Sequence, residues 1–121
     1  MDQFSAVQPR RDRTDVPGFL DFSVAVSTTG RTATVRITGD LDCSTAAQLR
    51  AALLDVVDDG AREVTLDVSG TRFIDSTGLS VLVGGLKRLR EHGGHMVVQS
   101  PNDATRRLLD MTGLSTVFDI R

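Results

Sequence analysis

Apolar and polar positions alternate from Phe22 to Ser27, with Phe22, Val24 and Val26 on one side, and Thr34 to Thr38 repeats the pattern with Val35 and Ile37. Thr29-Gly30 lies between the two runs and predicts a short turn, so they form an antiparallel pair. The period then lengthens. Ala46, Leu49, Leu53, Val56 and Val57 recur at helical spacing and stop at Asp58-Asp59-Gly60. Thr45 followed by Gln48 predicts a capping box at the start of this helix, with Ser44 as the alternative cap. Val64, Leu66 and Val68 alternate again between Gly60 and Gly70, and Phe73-Ile74 adds a second apolar pair. Leu79, Leu82, Val83, Leu86 and Leu89 form another helical stripe, closed by His92-Gly93-Gly94. Met96, Val97 and Val98 read as a short strand. Asn102 can cap a third helix carrying Ala104, Leu108, Leu109 and Met111, which stops near Gly113, and Val117 to Ile120 is a last strand. The order β-β-α-β-α-β-α-β predicts an α/β fold with a mixed sheet, its first hairpin antiparallel and the strands joined through helices parallel.

Composition narrows this further. The 121 residues contain no repeat or long linker and allow one domain. Residues 1–19 are polar, contain Pro9 and Pro17 and show no period, so they read as a flexible tail ahead of a domain over residues 20–121. The net charge is −2 with the signs interspersed, and five Phe stand without Trp or Tyr. No basic stripe or stacking surface invites nucleic acid. No long apolar window or secretory pattern is present, so a cytoplasmic location without a membrane span is expected. Gly84 and Gly85 fall inside the second helix, where each costs up to about 1 kcal/mol relative to Ala. Close approach of that helix to the sheet or to a partner would offset the cost.

The search for catalytic chemistry yields little. There is no GxxxxGK[ST] loop, no GxGxxG after a strand and no GxSxG elbow. His92 and His95 lie beyond the far end of the helix that starts near Ser76, out of reach of its hydroxyl. With Cys43 as the only thiol they also make a poor zinc set, and they read as turn residues. No enzyme activity, metal or cofactor is expected. Ser76 stands where an N-cap belongs, its hydroxyl placed to accept from the amide of Thr77, Gly78 or Leu79. A phosphate there would meet the favourable end of the helix dipole while adding about −1.5 to −2 charge beside Asp75. On spacing alone a plain helix cap is the commoner reading of such a serine.

Four stretches, in register, shift that balance: FIDSTGL (Phe73 to Leu79), ITGDLDCSTA (Ile37 to Ala46), GGHMVVQSP (Gly93 to Pro101) and RRLLDMTGLSTVFDI (Arg106 to Ile120). Together they resemble the STAS domains of bacterial anti-sigma factor antagonists, in which an Asp-Ser-Ser/Thr-Gly-Leu loop carries a regulated serine. The resemblance implies a single STAS-like domain and a partner switch. The dephosphorylated antagonist binds an anti-sigma factor serine kinase and so frees a sigma factor. Phosphorylation of the serine ends that contact, and a PP2C-like phosphatase restores it. Carried over by motif, the acceptor is Ser76, with Asp75, Thr77, Gly78 and Leu79 as its loop and Asp40 and Asp42 as interface acids. Thr77 stands where Ser is common, which makes it a second candidate acceptor. The free chain is expected as a monomer or weak homodimer. The alternative is a STAS scaffold or sensor that binds protein partners or a small ligand without a phosphorylation switch.

Overall fold

The computed structural model describes the backbone of residues 5–7 and all of residues 22–121. Strands β1 (Ser5–Val7), β2 (Ser23–Thr29), β3 (Thr32–Leu41), β4 (Glu63–Ile74), β5 (His95–Gln99) and β6 (Asp119–Ile120) form one sheet in that spatial order. Helix α1 (Ala46–Asp58) joins β3 to β4, α2 (Ser76–Glu91) joins β4 to β5, and α3 (Asp103–Met111) with a short 3₁₀ turn leads to β6. The β2–β3 hairpin is antiparallel and β3 to β6 run parallel, as the element order required. Its loop is Gly30-Arg31, one residue later than expected, with Gly30 at φ +59. Within the stretch expected to be a flexible tail, Ser5–Val7 pairs antiparallel with β2. The remainder of that stretch lies outside the described residues.

The register explains where the core sits. Val24 opposes Ile37, Val35 opposes Leu66, and Leu66 opposes Val98, so the buried aliphatics of four strands share one face. Leu49, Leu53, Val56 and Val57 of α1 and Leu79, Leu82, Leu86 and Leu89 of α2 pack into the same cluster. Burying stripes of this kind is the main driving force for a domain of this size. Gly85 is where α2 comes close to its neighbours. A Cβ there would sit 2.9 Å from Leu53 Cδ1 and 3.3 Å from Met96 Cε. Gly84 has no such neighbour within 4 Å, so close packing inside the chain accounts for only one of the pair.

β4 departs from the expected pattern. Gly70 was expected to close the strand, but pairing continues to Ile74. Two register shifts against β3, between Arg36 and Thr38 and between Gly39 and Asp40, insert extra residues into β4. Such bulges re-aim the side chains that follow them. Leu66, Asp67 and Val68 are consecutively buried, then Thr71 and Ile74 are buried while Arg72 and Phe73 face out. The last strand is shorter than its apolar spacing suggested, and α3, though it spans the expected residues, buries a different set of them. Asn102 caps α3 by accepting from the Thr105 amide at 2.8 Å, but the buried residues of the helix are Thr105 and Leu109. Ala104 is exposed and Met111 is 76% exposed. Val117 is not in a strand because its amide and that of Phe118 both donate to the Leu114 carbonyl, at 3.0 Å each.

On the sheet face opposite the aliphatic cluster, Arg36 and Asp67 are register neighbours joined by an ion pair at 3.2 Å. Burial of Asp67 opposes its ionisation, yet the Ser69 amide and hydroxyl together with the Arg36 guanidinium outweigh it and hold the carboxyl below its ordinary value. A carboxylate so depressed stabilises the fold above its unfolded pKa, and that contribution is lost as the pH falls through the folded one. Arg36 is half exposed, so solvent screens its share and the Ser69 contacts matter more. Asp67→Asn is expected to cost about 1–2 kcal/mol near neutral pH. The difference from the parent should shrink below about pH 4. Urea unfolding of both proteins on either side of that pH measures the two effects.

Candidate partner-binding site

β3 and β4 end side by side, with Asp40 opposite Phe73 and Leu41 opposite Ile74. The chain leaves β4 through a single extended residue, Asp75, at φ −99 and ψ −175. The Asp75 amide donates to the Leu41 carbonyl at 3.1 Å, tying the start of α2 to the end of β3. Its carboxylate Oδ1 accepts from the Gly78 amide at 2.9 Å, and its carbonyl accepts from the Leu79 amide at 2.9 Å. Asp75 is therefore the N-cap, and the expected cap, Ser76, is the first helical residue. A carboxylate is the stronger acceptor at the positive end of a helix dipole and displaces the hydroxyl from that role. The consequence is an exposed Ser76 whose hydroxyl is not used by its own helix. Thr77 beside it is also exposed.

Gly78 and Leu79 belong to the interior, although the sequence placed them among the contact residues. A Cβ on Gly78 would lie 2.6 Å from Leu41 Cγ and 2.8 Å from the Leu41 carbonyl oxygen. The second of these is backbone and cannot step aside. Leu79 is 7% exposed and packs in the core. Both residues hold the loop in place and leave its surface to their neighbours.

Asp40, at the end of β3, and Asp42, in the loop that follows, are similarly committed. Asp40 pairs with Arg72 at 3.1 Å across the strand ends. Asp42 Oδ1 accepts from the Ser44 amide at 2.9 Å and the Ser44 hydroxyl at 2.7 Å. Those Ser44 bonds, hydroxyl first, hold the Asp42 carboxyl below its ordinary value and keep it charged. The expected capping box does not form. Thr45 occupies the cap position without a side-chain cap bond, because its hydroxyl donates to the Asp40 carbonyl at 2.8 Å and accepts from the Asp42 amide at 2.9 Å. The loop is thus braced from within, and Cys43 is exposed on it.

One residue of the site escaped the sequence reading. Phe73 is 52% exposed, directly opposite Asp40 and three residues before Ser76. The signal was available in the Phe73-Ile74 pair, because adjacent strand residues point to opposite faces and only one of two such side chains can enter the core. The histidines lie elsewhere. His92 Nδ1 bonds the Arg88 carbonyl at the end of α2, and His95, which opens β5 rather than lying in a turn, pairs with Asp119. No metal-binding cluster of His, Cys, Asp or Glu occurs among the described residues. Nor is any helix among them long and apolar enough to cross a membrane.

The brought-together set is therefore Phe73, Ser76, Thr77 and the Asp40–Arg72 pair at the surface, over Asp75, Gly78 and Leu79 as supports. Known proteins share this architecture. A family model described as "Mlab, STAS domain" matches residues 24–120. The anti-sigma-B factor antagonist of Bacillus subtilis (strain 168) is 34% identical over 86 residues, covering 71% of this chain and 78% of that protein. A crystal structure of an anti-sigma factor antagonist from Mycobacterium paratuberculosis superposes with a TM-score of 0.75 at 29% identity, covering 83% of this chain and 85% of that one. The Bacillus cell fate determinant SpoIIAA in its phosphorylated form shares the fold, with a TM-score of 0.66 at 20% identity and coverage of 81% and 90%. The chain belongs to the STAS domain family of anti-sigma factor antagonists.

Proposed function

We propose that this protein docks on an anti-sigma factor serine kinase through the joined ends of β3, β4 and α2, and that phosphorylation of Ser76 ends the contact. Docking sequesters the kinase and frees its sigma factor, and a PP2C-like phosphatase resets the switch. The protein acts by binding, in the cytoplasm, and has no catalytic residue of its own. The carrying observation is the position of Ser76, whose hydroxyl is exposed on the first turn of α2 and relieved of capping by Asp75. A kinase can reach it without unfolding the helix. That a structural neighbour is known in a phosphorylated form supports the same reading.

The surface suits a switch driven by charge rather than by refolding. Asp40, Asp42 and Asp75 are each held by partners inside the chain, which leaves hydroxyls and an exposed aromatic to meet the kinase. Docking would remove this patch from water. A phosphate adds about −1.5 to −2 charge beside Asp75. Placed in a closed interface, that charge can cost several kcal/mol, and each 1.4 kcal/mol is tenfold in affinity. The helix dipole tolerates the phosphate, so the fold survives while the contact does not.

Incubation with ATP and the kinase should add one phosphate to the peptide containing Ser76, detected by mass spectrometry. Ser76→Ala should remove that shift and bind the kinase constitutively, and Ser76→Asp should bind at least tenfold more weakly. If the shift persists in Ser76→Ala and disappears in Thr77→Ala, the acceptor is Thr77. Equal affinity of the Ala and Asp variants would defeat the proposal. Phe73→Ala should weaken docking about tenfold or more, in the manner of a buried aromatic anchor. Its effect on unfolding free energy should stay within about 1 kcal/mol, because half the ring is already in water.

A further inference from the structure

Beside the docking surface, α1 and α2 leave an open groove of about 400 Å³ between them. Its apolar lining comes from Leu53, Leu54 and Val81. The polar groups are Arg50, Thr77 and Ser80 towards the start of the helices, and Arg88 towards their ends. The relative level of the helices follows from two contacts. Arg88 pairs with Asp58 at 3.1 Å, and a Cβ on Gly85 would touch Leu53. Arg50 lies about two turns before Asp58, and Ser80 about two turns before Arg88. Arg50 therefore stands level with Ser80, one turn from Thr77, near the positive end of the α2 dipole.

Two features of this groove have no use among the described residues. The Arg50 side chain makes no ion pair or hydrogen bond among the described residues. Gly84 gives up helix propensity in the interior of α2, yet nothing lies within 4 Å of where its Cβ would be. Its neighbour Gly85 is explained by packing on Leu53 and Met96, and Gly84 is not. A side chain at Gly84 would instead project into the open groove that it lines. The chain thus keeps a free cation at one end of a space and a missing side chain in its wall.

We propose that the α1–α2 groove binds a small amphiphilic phosphate monoester, with Arg50 and Thr77 receiving the head beside Ser80, and Leu53, Leu54 and Val81 covering the apolar body. The Arg50 guanidinium and the Thr77 hydroxyl match a group carrying three acceptor oxygens better than they match a neutral ligand, and Ser80, whose hydroxyl donates to the Ser76 carbonyl at 3.0 Å, borders the head. The volume falls in the range of small-molecule sites. A ligand held there contacts Thr77, next to the proposed acceptor, and so adds a chemical input to the docking surface. The site itself does not depend on the phosphorylation switch, and each can fail without the other.

Octyl phosphate is the probe, followed by backbone amide NMR on the full chain. Saturable shifts are expected at Thr77, Ser80 and Gly84. Arg50→Ala should raise the dissociation constant at least tenfold, and Gly84→Leu should abolish binding. Melting temperature separates these effects from misfolding, because Gly84→Leu fills open space in a helix and should melt no lower than the parent. Phe73→Ala should bind the probe unchanged. Inorganic phosphate and octanol, which supply head and body separately, should each bind at least tenfold more weakly. Absence of shifts at the groove amides would overturn the proposal and leave the groove to a partner helix. It would equally be overturned by undiminished binding to Arg50→Ala and Gly84→Leu, or by a match from either half of the probe.

Discussion

The structure depends on the close approach of α2 to the end of β3. The Gly78 backbone lies against Leu41 with no room for a side chain, and the Asp75 amide reaches the Leu41 carbonyl. This contact puts the strand that carries Asp40 and the helix that carries Ser76 at one end of the sheet. It also sets the helix entry angle, since Asp75 has to be extended to reach Leu41 and cap Gly78 together. Once Asp75 takes the cap, the serine is free for other chemistry. Surface and support are divided between neighbouring residues of one short motif.

The long central strand performs a related task. Its two extra residues against β3 break the simple alternation, and the interruption begins at the buried Asp67, which bonds Ser69 and Arg36. Beyond the bulges, Ile74 enters the core and Phe73 turns outward beside Asp40. Two one-residue bulges cancel in parity, so Ile74 and Phe73 keep the faces that the alternation of Val64, Leu66 and Val68 gives them, while the partners they meet on β3 are shifted. The pairing of the exposed aromatic with Asp40 is therefore a product of the irregular part of the sheet, which begins at the ion-paired Asp67.

Charge at the site is organised to stay fixed. Ser44 and Thr45 brace Asp42, Arg72 pairs with Asp40, and the α2 amides receive Asp75. Each of these acids has a partner within the chain, so the charges of the loop are held in place by the fold itself. The two glycines of α2 follow the same division of labour. Gly85 permits close packing on α1, while Gly84 leaves space open in the groove that Arg50 also lines.

Periodicity alone determined the alternation of strands and helices, the antiparallel hairpin followed by parallel pairing, and the aliphatic faces of α1 and α2, because those depend on spacing within single segments. Motif order was enough to set Ser76 at the start of the second helix. Tertiary structure decided what spacing cannot express. It selected Asp75 over Ser76 as cap, since the choice depends on which side chain reaches the Gly78 amide once Leu41 is in place. It buried Gly78 and Leu79, since α2 closes on Leu41 and the core, and it set Phe73 opposite Asp40, since bulges in β4 shift the register against β3. It diverted the Thr45 hydroxyl from its helix to Asp40 and Asp42, a competition between local partners that looks equal in the sequence. The α1–α2 groove exists only because two segments distant in the chain lie level with one another, and no single segment records that distance.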